Sequence, residues 1–206
     1  MARRRILILA GPTREYIDPV RYLSNASSGR QGIALAEEAL GRGHQVALIL
    51  GPVEMEPPSG VRTISVVSAD EMLERSLELH PTCDVLISAA AVSDYRPSHF
   101  ADRKHKRESG AWTLELLPNT DILEKLGERK GHRVHVGFAL ETENLLENSR
   151  RKLRTKGLDW IVANSPKAIE AAYGVYTLLG SDGSQRDLGR RTKRQLASAL
   201  LDLIAP

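Results

Sequence analysis

The run Asn25-Ala26-Ser27-Ser28-Gly29-Arg30-Gln31-Gly32 gathers an amide, two hydroxyls, glycines and an arginine just before an amphipathic stretch. Backbone N–H groups left free at a helix start, helped by the helix dipole, favour an anion there. Ser28 and Gly29 are therefore candidate phosphate holders, although an N-cap and a turn would use the same residue types. Arg21 and Asn25 stand four apart, a cation and an amide that suit one substrate carboxyl or phosphate. Neither the dinucleotide fingerprint GxGxxG nor the phosphate loop GxxxxGK[ST] occurs here.

Three further segments carry chemistry. Ser88-Ala89-Ala90-Ala91-Val92-Ser93-Asp94 is small at every early position, so a planar base or a ribose could approach the backbone, and Asp94 could take a ribose hydroxyl or a metal-bound phosphate. Lys104-His105-Lys106-Arg107 reads either as a solvated charge run or as a flap that neutralises a reacting phosphate. Gly137 to Thr142 precedes a helical stretch whose Lys152 and Lys156, four apart, share a face. Asn119 to Ile122 reads as a helix N-cap.

These segments follow short apolar runs, which are the elements that must position them. The pattern predicts strands over 5–10, 45–50, 61–67, 84–91, 133–139 and 158–163, with a further one over 112–117. Helices are expected over 31–43, 69–79 with Ser68 as cap, 121–129, 143–156 and 190–204, and a hairpin over 175–179 and 185–188. The alternation implies an α/β fold: a doubly wound, mostly parallel, Rossmann-like sheet with a C-terminal hairpin and helix, forming one domain over residues 1–206. Ligands of such sheets bind at the carboxyl ends of the strands, near the switch in strand order. Roughly twenty residues separate the first strand from its helix, against the usual 2–6. A connector of that length that also holds Tyr16, Ile17, Val20, Tyr22 and Leu23 reads as ordered and functional.

Composition narrows the classes. The chain has 206 residues, 41% of them apolar and 4% aromatic, which suits a Val/Ile/Leu/Ala core. A net charge of +3, spread over mixed signs, is too small to favour a polyanion partner. One cysteine, Cys83, excludes an intramolecular disulfide and reads as a small buried residue. No apolar stretch approaches the roughly 20 residues of a membrane span. The run Ile6 to Ala10 is too short for a secretory signal, so the expected location is the cytoplasm without membrane attachment.

Together, GPTREYIDPVRYLSNASSGRQG, AAVSDYRP, KHKR, NTDIL, GFALET and RRKLRTKGLDWIVAN resemble the phosphopantothenate–cysteine ligases, in order and at similar spacing over most of residues 5 to 164. The resemblance implies activation of 4′-phosphopantothenate by CTP, with Mg²⁺, to an acyl-cytidylate. Attack by L-cysteine then gives the amide, CMP and pyrophosphate, a step towards coenzyme A. It implies that Asn25 handles the acyl-nucleotide, that Arg21 serves the substrate, and that Lys104 opens the flap motif and promotes intermediate formation. By the same resemblance Ser88, Ala89, Ala90, Asp94, Asn119, Thr120, Asp121, Ile122, Phe138, Lys152 and Lys156 contact the nucleotide, and the protein is a homodimer to which flap and hairpin contribute. Metal ligands stay open, as does whether the natural chain carries a fused decarboxylase domain. The flap reads KHKR where the family has K-x-K-K, and NTDI stands for NPDI. A Rossmann-like nucleotide- or flavin-binding oxidoreductase is the alternative, but Gly51-Pro52 stands where its acid would follow the second strand. A nucleic-acid module, resting on residues 103–107 and basic charge, ranks third.

Overall fold

A computed structural model describes residues 2–107, 109–165 and 173–205. In chain order the elements begin β1 (Arg5–Ala10), β2 (Arg14–Tyr16), β3 (Tyr22–Ser24), α1 (Arg30–Gly41), β4 (Gln45–Leu50) and β5 (Arg62–Ser65). They continue with α2 (Ala69–Leu79), β6 (Val85–Ser88), β7 (Tyr95–Pro97), β8 (Leu116–Pro118) and α3 (Ile122–Gly127). Last come β9 (Val134–Leu140), α4 (Leu145–Thr155), β10 (Trp160–Asn164), β11 (Tyr173–Gly180), β12 (Gln185–Thr192) and α5 (Lys193–Ile204).

Among the described residues, eight strands form the main sheet in the order β12-β11-β10-β9-β6-β1-β4-β5. From β5 to β10 every pairing is parallel, and the β11–β12 hairpin is added antiparallel. Numbered by chain position, the parallel strands run 3-2-1-4-5-6, with the order reversing between β1 and β6. That reversal opens the crevice in which such sheets bind ligands. The α/β expectation thus holds, hairpin included.

β1 shows why the sheet is covered on both faces. Ile6, Ile8 and Ala10 join Leu35, Ala36 and Ala39 of α1 and Leu196, Leu200 and Leu201 of α5 in one core. Leu7 and Leu9 join Met72 of α2, Leu126 of α3 and Leu153 of α4 in the other. Side chains alternate across a strand, so an unbroken apolar run serves both layers. At Gly32, a Cβ would stand 2.2 Å from the Ala10 Cβ. Its absence lets the first turn of α1 lie directly on the end of β1, which fixes where the helix N-terminus points.

The structure revises several boundaries. β6 ends at Ser88 rather than Ala91, although Ala89 N–H and Ala91 N–H still donate to Leu9 and Gly11 carbonyls at 2.9 Å. The strand expected over 112–117 is instead the short β8, paired with β7 in a separate two-stranded sheet. β2 and β3 form another, inside the long connector. α5 starts at Lys193, because Thr192 and Gln195 form a reciprocal capping box that stops the helix extending back to Arg190. Ser68 does cap α2, accepting from Glu71 N–H. Cys83 is buried, and burial pushes its thiol up to about 11.

His135 of β9 and His80, just after α2, place their Nε2 atoms 2.8 Å apart, both buried. Only one proton fits between them, so the rings hold opposite tautomers. Burial pushes each imidazole down to about 4, below the roughly 6.5 of an exposed histidine. Between those values the unfolded chain takes up protons that the folded pair refuses, so stability falls as pH drops from about 6.5 towards 4. Urea midpoints at pH 7 and pH 4.5 should differ, and His80→Gln should shrink that difference. An undiminished difference in the variant would assign it elsewhere.

Candidate functional site

The connector between β1 and α1 is tied down along its length. Pro12 bridges to Ala91, Thr13 N–H donates to the Ala91 carbonyl at 3.4 Å, and Ser93 N–H donates to Thr13 Oγ1 at 3.0 Å. The buried Glu15 carboxylate accepts from Ala69 N–H at 2.9 Å. Asp18-Pro19 turns the chain, and Arg14 lies over the Tyr22 ring at 4.6 Å. Asn25 then reaches the segment after β6, its Nδ2 donating to the Ala91 and Val92 carbonyls at 3.2 and 2.9 Å. The two chain segments leaving the switch point are thereby fixed to each other.

Two cavities open at these strand ends. The first, about 460 Å³, is lined by residues 25–31, Ala89 to Val92, Asp94, Phe138, Leu140, Lys152, Asn164, Tyr176 and Lys193. It contains the start of α1, where Gly29 turns the chain with φ 71° and Arg30 begins the helix. The second, about 210 Å³, is lined by Ser88, Asn119 to Leu123 and Lys156. Ala90, Val92, Asp94 and Phe138 belong to both, so the cavities meet along a common wall.

The walls are held by specific bonds. Asn119 donates from its backbone to the Asp94 carbonyl and from Nδ2 to the Ser93 carbonyl, both at 2.8 Å, which fixes the backbone of Ser93 and Asp94 where Asp94 lines both cavities. Asp121 caps α3 and pairs with Lys156 at 2.7 Å, and Lys152 pairs with Glu141 at 2.7 Å. Such partly exposed pairs are worth about 0–1 kcal/mol. Both ammonium groups can therefore turn to incoming phosphates at little cost. Burial and the nearby Arg30 charge hold the Lys193 ammonium below its ordinary pKa.

Of the residues singled out in the sequence, Asn25, Ser28, Gly29, Ala89, Ala90, Asp94, Phe138 and Lys152 line the first cavity. Ser88, Asn119, Thr120, Asp121, Ile122 and Lys156 line the second. Arg21 and Lys104 lie in neither. They line a separate open cleft with His105, Lys106, Arg107 and Trp112. Arg21 does not face the same cavity as Asn25, because its guanidinium is committed to the buried Asp18, with Nη2 to Oδ2 at 2.5 Å. Burial opposes ionisation of Asp18, but Arg21 and three backbone N–H groups hold its carboxyl well below the usual carboxylate range.

The family model described as DNA/pantothenate metabolism flavoprotein C-terminal domain matches residues 1–206. The chain belongs to that family. It is 42% identical over 207 residues to the coenzyme A biosynthesis bifunctional protein CoaBC of Bacillus subtilis, covering 98% of this chain and 51% of that protein. It is 49% identical over 173 residues to a cysteine/cysteine sulfinic acid decarboxylase from an unknown prokaryotic organism, covering 83% of this chain and 48% of that one. The chain thus spans about half the length of the curated relatives it matches. Among solved structures, the C-terminal domain of a CoaBC protein superposes with a TM-score of 0.85 at 40% identity, covering 98% of this chain and 93% of that one.

Sequence reasoning missed Tyr176 and Lys193, which enter the first cavity from β11 and from the start of α5. Both lie beyond Asn164, where the motif resemblance ends. The Thr192-x-x-Gln195 capping signature could have set the helix start at Lys193. No local signal could have brought Tyr176 to the far end of the sheet.

Proposed function

We propose that this chain is a phosphopantothenate–cysteine ligase unit acting in coenzyme A biosynthesis, its one domain spanning residues 1–206. In this reading, 4′-phosphopantothenate attacks the α-phosphorus of CTP, pyrophosphate departs, and the L-cysteine amine then attacks the acyl carbon to release CMP. The observation that carries the reading is the pair of cavities meeting at Asp94 and Phe138, one entered by a helix N-terminus, the other walled by Asn119 to Ile122. A nucleotide laid across them has its phosphates at Ser28, Gly29 and Lys152, and its base and ribose against Ser88, Ala89, Ala90, Thr120 and Phe138. Family membership, and a match to almost all of a CoaBC C-terminal domain, support the ligase half of that bifunctional name.

The chemistry suits these residues. Carboxylate and phosphate are both anionic, so cations should supply the main catalytic effect. Lys152 and Lys156 neutralise charge as they leave Glu141 and Asp121, while Lys104 brings a further cation on the flap. Mg²⁺ carried on nucleotide phosphates needs only one or two protein carboxylates. Asp94, on the shared wall, fits that need, and the ion would neutralise phosphate charge there. No protein nucleophile is required, and Cys83 is buried outside both cavities.

Exposed Tyr16, Tyr22, Tyr95, Leu116 and Leu117 on the two small sheets, with the flap and β11–β12 hairpin, support a homodimer. Among the described residues no helix is long and apolar enough to cross a membrane. The reading takes small-molecule substrates, not nucleic acid, and a cytoplasmic location as expectations that go with the ligase activity.

The test is incubation with 4′-phosphopantothenate, L-cysteine, Mg²⁺ and either CTP or ATP. Pyrophosphate release dependent on phosphopantothenate is expected, and its absence with every nucleotide overturns the reading. Carbon dioxide release from cysteine or its sulfinic acid without nucleotide would favour the decarboxylase named among the relatives instead.

A further inference from the structure

We infer that Asp18 is a positioning residue that clamps the cationic flap at His105 and so sets the place of Lys104. The inference rests on the ligase reading only for the role of Lys104; the clamp itself stands on geometry.

The Asp18 side chain is fully buried, yet it belongs to no core cluster and lines neither cavity. One oxygen, Oδ1, accepts from Val20 and Arg21 N–H at 2.9 and 3.0 Å, closing the turn between β2 and β3. The other, Oδ2, accepts from Arg21 Nε at 3.0 Å and Nη2 at 2.5 Å, and from His105 N–H at 3.3 Å. Arg21 Nη2 also donates to the His105 carbonyl at 2.8 Å. Carboxylate and guanidinium thus grip both backbone polar groups of one flap residue, 87 positions along the chain from Asp18.

Side chains complete the clamp. The His105 ring stacks on Trp112, with centroids 4.4 Å apart and planes 7° apart, and Arg21 lies over the same indole at 4.7 Å. Trp112 therefore carries an imidazole and a guanidinium. Ala101 N–H, donating to the Ile17 carbonyl at 2.9 Å, holds the other limb of the flap to the same loop. An anchor on His105 fixes the backbone one residue from Lys104, whose long side chain then samples a limited arc. A turn needs only the Oδ1 contacts. Oδ2 is spent on the flap and its arginine, and that division separates positioning from simple turn-making.

The experiment compares Asp18→Asn, Trp112→Ala, the double variant and Trp112→Phe. Hydrogen exchange followed by mass spectrometry reads the backbone of residues 98–112, and single-turnover acyl-nucleotide formation reads Lys104. Misplacing a reacting group by about 1 Å can cost roughly 100-fold, so a loss of roughly tenfold or more is expected in each single variant, with nucleotide affinity within about twofold of wild type. Exchange over residues 98–112 should accelerate in both. The double variant should lose no more than the worse single, because both act through one clamp, and Trp112→Phe, which keeps a stacking face, should stay close to wild type. Multiplicative losses in the double variant, or unchanged exchange over residues 98–112 in Asp18→Asn, overturn the clamp. Trp112 is partly exposed, so its variants probe the flap even if Asp18→Asn folds poorly. Faster exchange without any acyl-nucleotide chemistry in the wild-type protein would sink the ligase reading and leave the clamp standing.

Discussion

Asn25→Asp is expected to cut overall ligation by about two orders of magnitude, with acyl-nucleotide persisting rather than failing to form. The Asn25 amide is a donor to two carbonyls at once, those of Ala91 and Val92. A carboxylate at the same position can donate to neither and faces both as a like dipole. Two hydrogen bonds at an exposed residue are worth about 1 kcal/mol each at most, so the fold should persist with a small drop in stability. The effect falls on turnover of the intermediate, because Asn25 no longer donates to the segment after β6, while the Thr13 contacts still hold the two segments together. Quench-flow with cysteine added late checks this. Intermediate consumed as fast as in wild type would remove Asn25 from its role.

Lys104→Gln should act on the other half-reaction. In the ligase reading the flap brings Lys104 to the developing phosphate charge, and losing such a cation costs on the order of 10²–10³ in rate. Nucleotide binding should survive, since Lys152, Lys156 and the start of α1 are untouched and Lys104 lines a different cleft. Pyrophosphate release in a single turnover, measured beside equilibrium nucleotide binding, separates the two effects. Unchanged release would make the flap a solvated loop, and the Asp18 clamp would then position nothing catalytic.

Much of the architecture was legible because β-strand and helix periods are written locally. The RILILA run of β1 feeds both cores, and Ser68 announces α2. The strand expected over 84–91 is β6, which adjoins β1 at the switch point. What stayed hidden depends on contacts between distant segments. β2, β3, β7 and β8 are three-residue strands that exist through pairing rather than propensity. Lys193 and Tyr176 reach the first cavity because the β11–β12 hairpin and α5 return along the sheet, which no spacing encodes. Arg21 illustrates the same limit. Four residues from Asn25, it invites a shared ligand, but the buried charge of Asp18 turns it towards His105.

Transfer of isotope from a substrate carboxylate tests the central claim most directly. With 4′-phosphopantothenate labelled by ¹⁸O in its carboxylate, together with CTP, Mg²⁺ and L-cysteine, one labelled oxygen should appear in the phosphate of CMP, as attack on the α-phosphorus requires. Label found in inorganic phosphate beside CDP, or CMP formed without label, would contradict the acyl-nucleotide route proposed for this site.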